Sequence, residues 1–252
     1  MDLGAFSKHI ALVKISIVVP AFNEEQLLGE SLAQIKQAAA AFEKRGWSTE
    51  MVVCDNNSTD RTAQIAREAG AMVVFEPVNQ IARARNRGAA AATGDWLVFV
   101  DADSHPSAEL FADVAEQIVS GKCVGGGSTV KLDGNHPLAN SMSKLWNSIS
   151  RIMKLPAGSF IFCNTEAFRK IDGFSQELFA AEELDLGKRL KKLARETGKR
   201  VVILSKHPLI TSARKLRLYS LGEHLRLLFR VSRNRRTLTS REACHLWYDG
   251  RR

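Results

Sequence analysis

Two aspartates separated by one residue are the clearest candidates for chemistry in this sequence. Asp101 and Asp103 directly follow the continuously apolar residues 96–100, which predict a buried strand. Carboxylates that leave a strand end together can share one divalent cation, and Mg²⁺ or Mn²⁺ prefers oxygen ligands while keeping open positions for phosphate oxygens. Such a metal would stabilise a nucleoside diphosphate as it departs. Asp-x-Asp also occurs in solvated loops, so its position at the strand end is what favours a metal site.

The sequence lacks the usual glycine-rich segments that bind phosphate. Residues 14–20 predict a first strand that continues into Ala21 and Asn23 with no Gly-x-Gly-x-x-Gly, and no Gly-Lys-Ser/Thr occurs in the chain. A dinucleotide fold of the usual kind and a P-loop enzyme are therefore disfavoured. The phosphates of a bound nucleotide would need another neutralising group, such as a metal ion.

A second polar cluster follows the predicted strand at residues 51–54. The residues from Asp55 to Asp60 have the composition of a turn followed by a helix N-cap. That structure leaves Asp55 able to accept a hydrogen bond from an N–H on the edge of a base. The structural and the functional interpretation are compatible.

The elements that must position these residues alternate between strand and helix patterns. Asn23 is a plausible N-cap of a helix at about 24–42, Ser58 or Thr59 can cap the next helix, and Gly70 ends it. Further strands are predicted at 71–75 and 96–100, with a helix at 81–93 between them. The alternation predicts right-handed crossovers and an open, mostly parallel α/β sheet with helices on both faces.

After residue 104 the pattern is less regular. The predicted elements are a helix at about 108–119, a strand at 123–130, a polar stretch at 131–158 with a helix around 142–153, a strand at 159–164, a helix at 183–197 and a last strand at 200–204. Four scattered cysteines have no metal-ligand or disulfide spacing, and we expect reduced, mostly buried thiols.

The positive charge is concentrated at one end of the chain. Residues 214–252, called the basic tail below, hold eleven Lys or Arg and three Asp or Glu, while residues 1–213 are close to neutral. We expect one catalytic domain over 1–213 and a basic helical extension over 214–252. A nearly neutral body argues against nucleic acid as a partner. No apolar stretch reaches membrane-spanning length and no signal-peptide pattern is evident, so we expect a cytoplasmic protein.

The ordered motifs resemble family 2 glycosyltransferases of the GT-A fold. They are Ile17 to Glu24, Asp55-x-x-Ser58-x-Asp60, Ala84-Arg85-Asn86-x-Gly88 with Gly94-Asp95, and Asp101-x-Asp103, followed by Glu182-Glu183. Each motif alone is weak evidence, whereas the ordered set is specific. The resemblance implies transfer of a sugar from a nucleotide-diphospho-sugar, with UDP favoured, to an acceptor hydroxyl with inversion.

The resemblance also assigns roles to individual residues. Asp103 would be the principal ligand of Mn²⁺ or Mg²⁺, with Asp101 beside it near the ribose or donor sugar. The nucleotide-sugar would contact Pro20, Ala21, Asn23, Glu24, Asp55, Asn57, Arg83, Asp101 and Ala102. An exposed helix face is the alternative for Arg83, as it is for Arg85 and Arg87.

On the acceptor side, the resemblance makes Glu183 the general base that removes the acceptor proton. Here the family's aspartate is replaced by glutamate, so Glu182 is the alternative base, and favourable charge in the first turn of a helix is the alternative role for both. The acceptor or sugar pocket would be lined by Phe160, Phe162 and Asn164.

A third metal ligand is less well defined by the sequence. His207 is the nearest candidate, but its neighbour Pro208 also suits a structural role. Arg214 or Lys215 could instead stabilise the diphosphate electrostatically.

The basic tail carries an apolar stripe from Leu221 to Phe229. Such a helix could bind an anionic membrane on its inner face and bring the enzyme to a lipid-linked acceptor, or it could pack on the domain. Two other functions stay open: a non-catalytic nucleotide-binding protein, and a sugar nucleotidyltransferase, although the latter needs a glycine-rich first loop that this chain lacks.

Overall fold

The computed structural model describes residues 13–134, 137–212 and 238–244. Its strands are β1 (Lys14–Ala21), β2 (Ser48–Asp55), β3 (Met72–Phe75), β4 (Trp96–Val100), β5 (Ser104–His105), β6 (Cys123–Leu132), β7 (Phe160–Asn164) and β8 (Arg200–Thr211). Its helices are α1 (Leu28–Glu43), α2 (Thr62–Glu68), α3 (Ile81–Ala91), α4 (Ala108–Ser120), α5 (Pro137–Met153), α6 (Thr165–Lys170) and α7 (Glu182–Glu196).

All of these strands form one mixed sheet in the order β3-β2-β1-β4-β7-β6-β8-β5. The first half is parallel, because β1 pairs with both β2 and β4 in parallel and β2 pairs in parallel with β3. β7 then runs antiparallel to both β4 and β6, while β6 and β8 are parallel. The predicted open, mostly parallel α/β sheet is confirmed.

Alternating side chains of the central strands support two separate cores. On one face, Ile17 and Val19 pack with the apolar sides of α1 and α4. On the other face, Val18 and Phe99 pack with α3 and α7. Because both faces are covered, the central strands are apolar at nearly every position. The carboxyl ends of β1, β2 and β4 therefore meet at one edge of a rigid sheet.

The predicted caps of the first two helices are wrong, although the helices exist. Asn23 adopts a left-handed conformation, and its side-chain oxygen accepts a hydrogen bond from Thr59 N–H, so α1 begins only at Leu28 without a side-chain cap. Ser58 Oγ accepts from the backbone N–H of Asn23 and is not available to cap α2. Both turns pair with each other because β1 and β2 end side by side.

Part of the C-terminal region packs on the domain. Phe179 N–H donates to the carbonyl of Leu238 at 2.7 Å, and Cys244 is buried against Ala180. The rest of the predicted extension, including the stripe from Leu221 to Phe229, lies outside the described residues, so the division at residue 213 stays a prediction. Within the described ranges, no helix is both long enough and apolar enough to cross a membrane. The four cysteines are free and buried, as predicted.

One glycine lets α3 lie close to β1. A Cβ atom at Gly88 would stand 2.4 Å from Val18 Cγ1, far inside van der Waals contact. Val18 is fully buried in a central strand and cannot move aside. The glycine therefore fixes the distance between this helix and the sheet edge that α3 approaches.

Alanine at Gly88 should lower the free energy of unfolding by about 1–3 kcal/mol, because the added methyl overpacks the core. The matched control is Gly29→Ala in α1, where the new Cβ would meet Ile65 Cγ2 at an ordinary 3.6 Å. That change should be neutral or should stabilise by up to about 1 kcal/mol through helix propensity. Urea unfolding measures both variants, and equal effects of the two substitutions would contradict the proposed close contact.

Candidate active site

A buried arginine joins the elements that carry the candidate catalytic residues. The Arg85 side chain on α3 is only 1% exposed. Its Nη1 donates to Glu182 Oε1 at 2.6 Å, and its Nη2 donates to Asp101 Oδ1 at 2.9 Å and to the Gly158 carbonyl at 2.8 Å. A planar guanidinium can satisfy several acceptors in fixed directions at once. It thereby holds the end of β4, the start of α7 and the loop before β7 together.

The residue after Arg85 holds the other side of the same pocket. Asn86 Nδ2 donates to the Phe174 carbonyl at 2.8 Å, and Asn86 Oδ1 accepts from Phe174 N–H at 2.9 Å. Arg85 also lies over the Phe174 ring, with 5.2 Å between the guanidinium carbon and the ring centroid. Gly173 has φ of +60°, a conformation that favours glycine. The Arg-Asn pair thus fixes the loop that leads to α7.

The two acids that open α7 have different surroundings. Glu182 is 4% exposed and paired with Arg85, whereas Glu183 is partly exposed and has no comparable ion pair in the described structure. Burial, followed by repulsion from Glu182, raises the pKa of Glu183 to about 8, against the opposing effect of Arg85. Ala181 precedes the pair with φ of +62°, which is strained for a residue with a Cβ. The arrangement resembles a carboxylate tuned for proton transfer near neutral pH.

The strand-end aspartates lie where the sequence predicted them. The Asp101 carboxylate is 24% exposed, and its backbone N–H donates to the Ser159 carbonyl at 3.2 Å. Asp103 is partly exposed, and its carbonyl accepts from Ser212 N–H at 3.1 Å. The end of β8, which is longer than predicted, therefore supports the turn that carries Asp103.

These two carboxylates suit a hard divalent cation. The described residues contain no group of three or more His, Cys, Asp or Glu arranged to hold a metal by themselves. Mg²⁺ commonly uses only one or two protein carboxylates and completes its shell with water and substrate phosphates. Asp103, with Asp101 beside it, provides that kind of incomplete oxygen site.

The predicted nucleotide residues of β1 and β2 come together at the same sheet edge. Ala21 pairs with Asp55 in register, as Pro20 does with Cys54. Asp55 Oδ1 accepts from Ser58 N–H at 3.0 Å, which confirms the turn predicted there. Asn57 continues this turn in a left-handed conformation, with φ of +65°.

Two other predicted nucleotide residues have structural partners. Glu24 is buried, and its backbone N–H donates to Thr62 Oγ1. Arg83 is about one third exposed and donates to Glu76 Oε1 at 3.0 Å and Gln176 Oε1 at 2.9 Å. Their nucleotide contacts stay predictions. Ala102 is buried between Asp101 and Asp103 in the turn after β4.

The structure does not bring the predicted pocket residues Phe160, Phe162 and Asn164 to the site. Both phenylalanine rings are fully buried in the core below α4. Asn164 caps α6 and pairs with Trp96, at the far end of β4 from Asp101. Asn164 lies far from the site because β7 runs antiparallel to β4. Phe160 pairs with Val100 next to the site, but its ring, like that of Phe162, is on the face of the sheet that packs in the core. Gly158 borders the site: a Cβ there would stand 3.6 Å from the Glu183 carboxyl carbon.

His207 is likewise placed apart from Asp103. Its Nδ1 lies 2.9 Å from Asp113 Oδ2 on α4, and the part of β8 that supports Asp103 is Thr211 and Ser212. The structure thus gives His207 a partner outside the site. Arg214 and Lys215, the alternatives for this role, lie outside the described residues.

Arg85 was the residue that sequence reasoning undervalued. An exposed helix face is correct for Arg87 but wrong for Arg85, which is buried. The signal was present in the motif Ala84-Arg85-Asn86-x-Gly88, where a glycine four residues from an alanine marks close packing. Helical periodicity alone could not show that three acceptors from distant segments converge on the arginine.

The sequence model described as "Glycosyl transferase family 2" matches residues 16–172. The chain belongs to this family. The match covers the polar residues that follow β1, β2 and β4. It ends just before the loop that leads to Glu182 and Glu183 in this family 2 chain.

Individual relatives agree with that membership. Dolichol-phosphate mannosyltransferase from Pyrococcus furiosus is 31% identical over 124 residues, which cover 46% of this chain and 33% of the relative. S. aureus TarS, crystallised in complex with UDP-GlcNAc, is 26% identical with a TM-score of 0.63, covering 80% of this chain and 59% of that one. PcManGT from Pyrobaculum calidifontis, in complex with GDP-Man and Mn²⁺, is 19% identical and shares the fold, with a TM-score of 0.61 over 92% of this chain and 68% of that one. The chain spans about a quarter to a third of the curated relatives' length.

The raised pKa of Glu183 has a consequence for stability. A carboxyl that is more basic in the folded state holds its proton there more tightly, so this group costs stability as pH rises from about 4.5 to about 8. Glu183→Gln should therefore melt at a higher temperature than the wild type at pH 8, by at least about 2 °C, with little difference at pH 5. Glu116→Gln, on the exposed side of α4, is the control for losing one carboxylate. A Glu183→Gln difference that is constant from pH 5 to pH 8 would contradict the shifted pKa.

Proposed function

We propose that this family 2 chain is an inverting glycosyltransferase that moves a sugar from a nucleotide-diphospho-sugar to an acceptor hydroxyl. The observation that carries the proposal is the convergence on Arg85 of the strand-end carboxylate Asp101 and the acidic pair that opens α7. Inversion requires a base on the acceptor side and a leaving group on the other. We assign the acids of α7 to the acceptor side, and the strand-end aspartates to the side from which the nucleoside diphosphate departs.

The donor is proposed to lie along the carboxyl ends of β1, β2 and β4. Asp55 and the paired turns around Asn23 provide acceptors and donors for a base and ribose at one end of that edge. UDP is favoured as the nucleotide, and the TarS structure with UDP-GlcNAc supports this choice.

Glu183 is the proposed general base. Glu183 has a raised pKa, is partly exposed as a residue and lies beside Gly158, whereas Glu182 is buried and paired with Arg85. A residue that must release and accept a proton needs access to the substrate and freedom from a strong ion pair. This contrast favours Glu183 over Glu182 and gives Glu182 a positioning role.

Asp103, with Asp101, is proposed to hold Mn²⁺ or Mg²⁺. When bound, the cation would neutralise charge on the departing diphosphate. The chain's own contribution is to hold both carboxylates in place, through Arg85 on one side and the Ser212 N–H on the other.

The acceptor is proposed to be lipid-linked. The Pyrococcus relative is named a dolichol-phosphate mannosyltransferase, and the match covers a third of that relative, so the inference concerns the class of acceptor only. A peripheral position on the inner face of a membrane would suit such an acceptor. Neither a non-catalytic nucleotide-binding protein nor a nucleotidyltransferase needs a second carboxylate with a raised pKa near the strand-end aspartates.

A pair of variants separates donor binding from transfer. Asp103→Asn should abolish the rise in melting temperature that UDP with Mn²⁺ gives the wild type, because the cation can no longer bridge the diphosphate to the protein. Glu183→Gln should keep that rise and lose transfer by roughly 10²-fold or more, measured as UDP release across a panel of UDP-sugars with extracted lipid acceptors.

Two results would overturn these assignments. An Asp103→Asn protein that keeps the Mn²⁺-dependent rise would remove Asp103 from the metal site. A Glu182→Gln protein with normal UDP–Mn²⁺ binding and no transfer, alongside an active Glu183→Gln protein, would move the base by one residue.

A further inference from the structure

Helix α5 packs on the sheet with its polar side. Asn147 Oδ1 accepts from Val130 N–H at 2.9 Å, and Asn147 Nδ2 donates to the Val130 carbonyl at 2.8 Å. Ser150, one turn on, is fully buried and donates to the Leu155 carbonyl. A surface helix normally turns its apolar side to the core. Between residues 143 and 153 of α5, polar side chains, Asn147 and Ser150, instead make the inward hydrogen bonds.

The opposite side of α5 presents apolar side chains to solvent. Leu145 is 64% exposed, Ile149 37%, Ile152 80% and Met153 54%. Because helical residues advance by about 100° each, these four lie within an arc of about 100° on one face. A contiguous apolar face of this kind marks a surface that binds something.

The charged residues of α5 and of the segment that follows it are all positive. Residues 134–165 include three Lys or Arg and no Asp or Glu. These cations, Lys144, Arg151 and Lys154, are all exposed. Lys191 on α7 donates to the Met153 carbonyl at 2.9 Å and continues the basic surface beyond the end of the helix. A groove of about 460 Å³ next to it is lined by Lys154, Lys191, Arg195, Lys199 and Arg200 among others.

We propose that the apolar face of α5 and its cations dock the protein on an anionic lipid bilayer. An apolar arc flanked by Lys and Arg is the pattern of a helix lying in the membrane interface. A second copy of this chain is a poorer occupant, because two positively charged surfaces would face each other. The basic tail is also a poorer occupant, because its positive charge would be repelled by the cations around α5. Lipid phosphates complement the charge, and acyl chains accept Leu145 and Ile152.

The position of α5 connects this surface to the active site. The helix follows β6, whose last residue Leu132 pairs with Thr211 next to the Asp103 turn. It ends just before the segment that leads to Gly158, which contacts Arg85 and borders Glu183. Docking through α5 would therefore hold both the Asp103 turn and the loop around Gly158 close to the bilayer. This consequence for a lipid-linked acceptor rests on the proposed function; the docking itself does not.

Vesicle sedimentation tests the docking without any catalysis. Full-length protein should bind phosphatidylglycerol–phosphatidylcholine vesicles at low salt and bind phosphatidylcholine vesicles far less. Lys144→Gln/Arg151→Gln/Lys154→Gln should weaken binding roughly 100-fold, or about fivefold for each cation. Leu145→Ser/Ile152→Ser should weaken it by at least about tenfold.

The matched control removes exposed apolar residues elsewhere. Met72→Ser/Val119→Ser changes side chains that are 48% and 64% exposed and lie outside α5, and it should bind vesicles like the wild type. All variants should keep the melting-temperature rise with UDP and Mn²⁺, which reports an intact fold and donor site separately from docking.

Three results would overturn the proposal. The wild type could fail to bind anionic vesicles at low salt. The α5 variants could bind normally while Arg230→Gln/Arg233→Gln/Arg235→Gln/Arg236→Gln in the basic tail does not, which would place the contact in the tail. The wild type could also be a dimer that Leu145→Ser/Ile152→Ser converts to a monomer, which would make the apolar face a protein interface.

Discussion

The site depends on one buried charge. A guanidinium that is 1% exposed needs its charge met inside the protein, and Arg85 meets it with Glu182 and Asp101. The Gly158 carbonyl accepts a further hydrogen bond from Nη2, while Nε has no hydrogen-bond partner among the described residues. Each of these acceptors belongs to a different segment. The same ion pairs that satisfy Arg85 therefore fix the separation between the strand-end aspartates and the acids of α7. Moving any one of these segments would remove one of the acceptors of the buried guanidinium.

Neighbouring features of the chain make this arrangement possible. Gly88 allows α3 to approach β1 closely enough for Arg85 to reach the sheet edge, and Asn86 holds the loop that presents Phe174 and then the acidic pair. Because Glu182 is held in place by Arg85, its negative charge stays next to Glu183. Repulsion between the two carboxylates contributes to the raised pKa of Glu183. The raised pKa of Glu183 therefore lowers stability at neutral pH, as expected where a site must hold a reactive group.

Sequence reasoning succeeded where the information is local. Continuous apolar runs predicted β1 to β4, and Asp55 and Asp101 followed directly from the strand ends. It failed where strand direction and side-chain facing decide the outcome: β7 runs antiparallel to β4, so Asn164 lies at the far end of β4 from the site, and the rings of Phe160 and Phe162 point into the core. It also could not find Arg85 as the centre, because its partners lie 16, 73 and 97 residues away along the chain. Short-range periodicity does not encode contacts between residues so far apart in the chain. For the same reason it did not predict which side of α5 faces the sheet.

A double-mutant cycle between Arg85 and Glu182 tests the central role of the ion pair most directly. Urea unfolding of Arg85→Met, Glu182→Gln and the double variant gives the coupling free energy, and Arg85→Lys provides a milder single change if the methionine variant does not fold. The account predicts a coupling of about 2 kcal/mol or more, because each single change leaves a buried partner unsatisfied. Effects that add to within about 0.5 kcal/mol would contradict it, since the two residues would then not depend on each other.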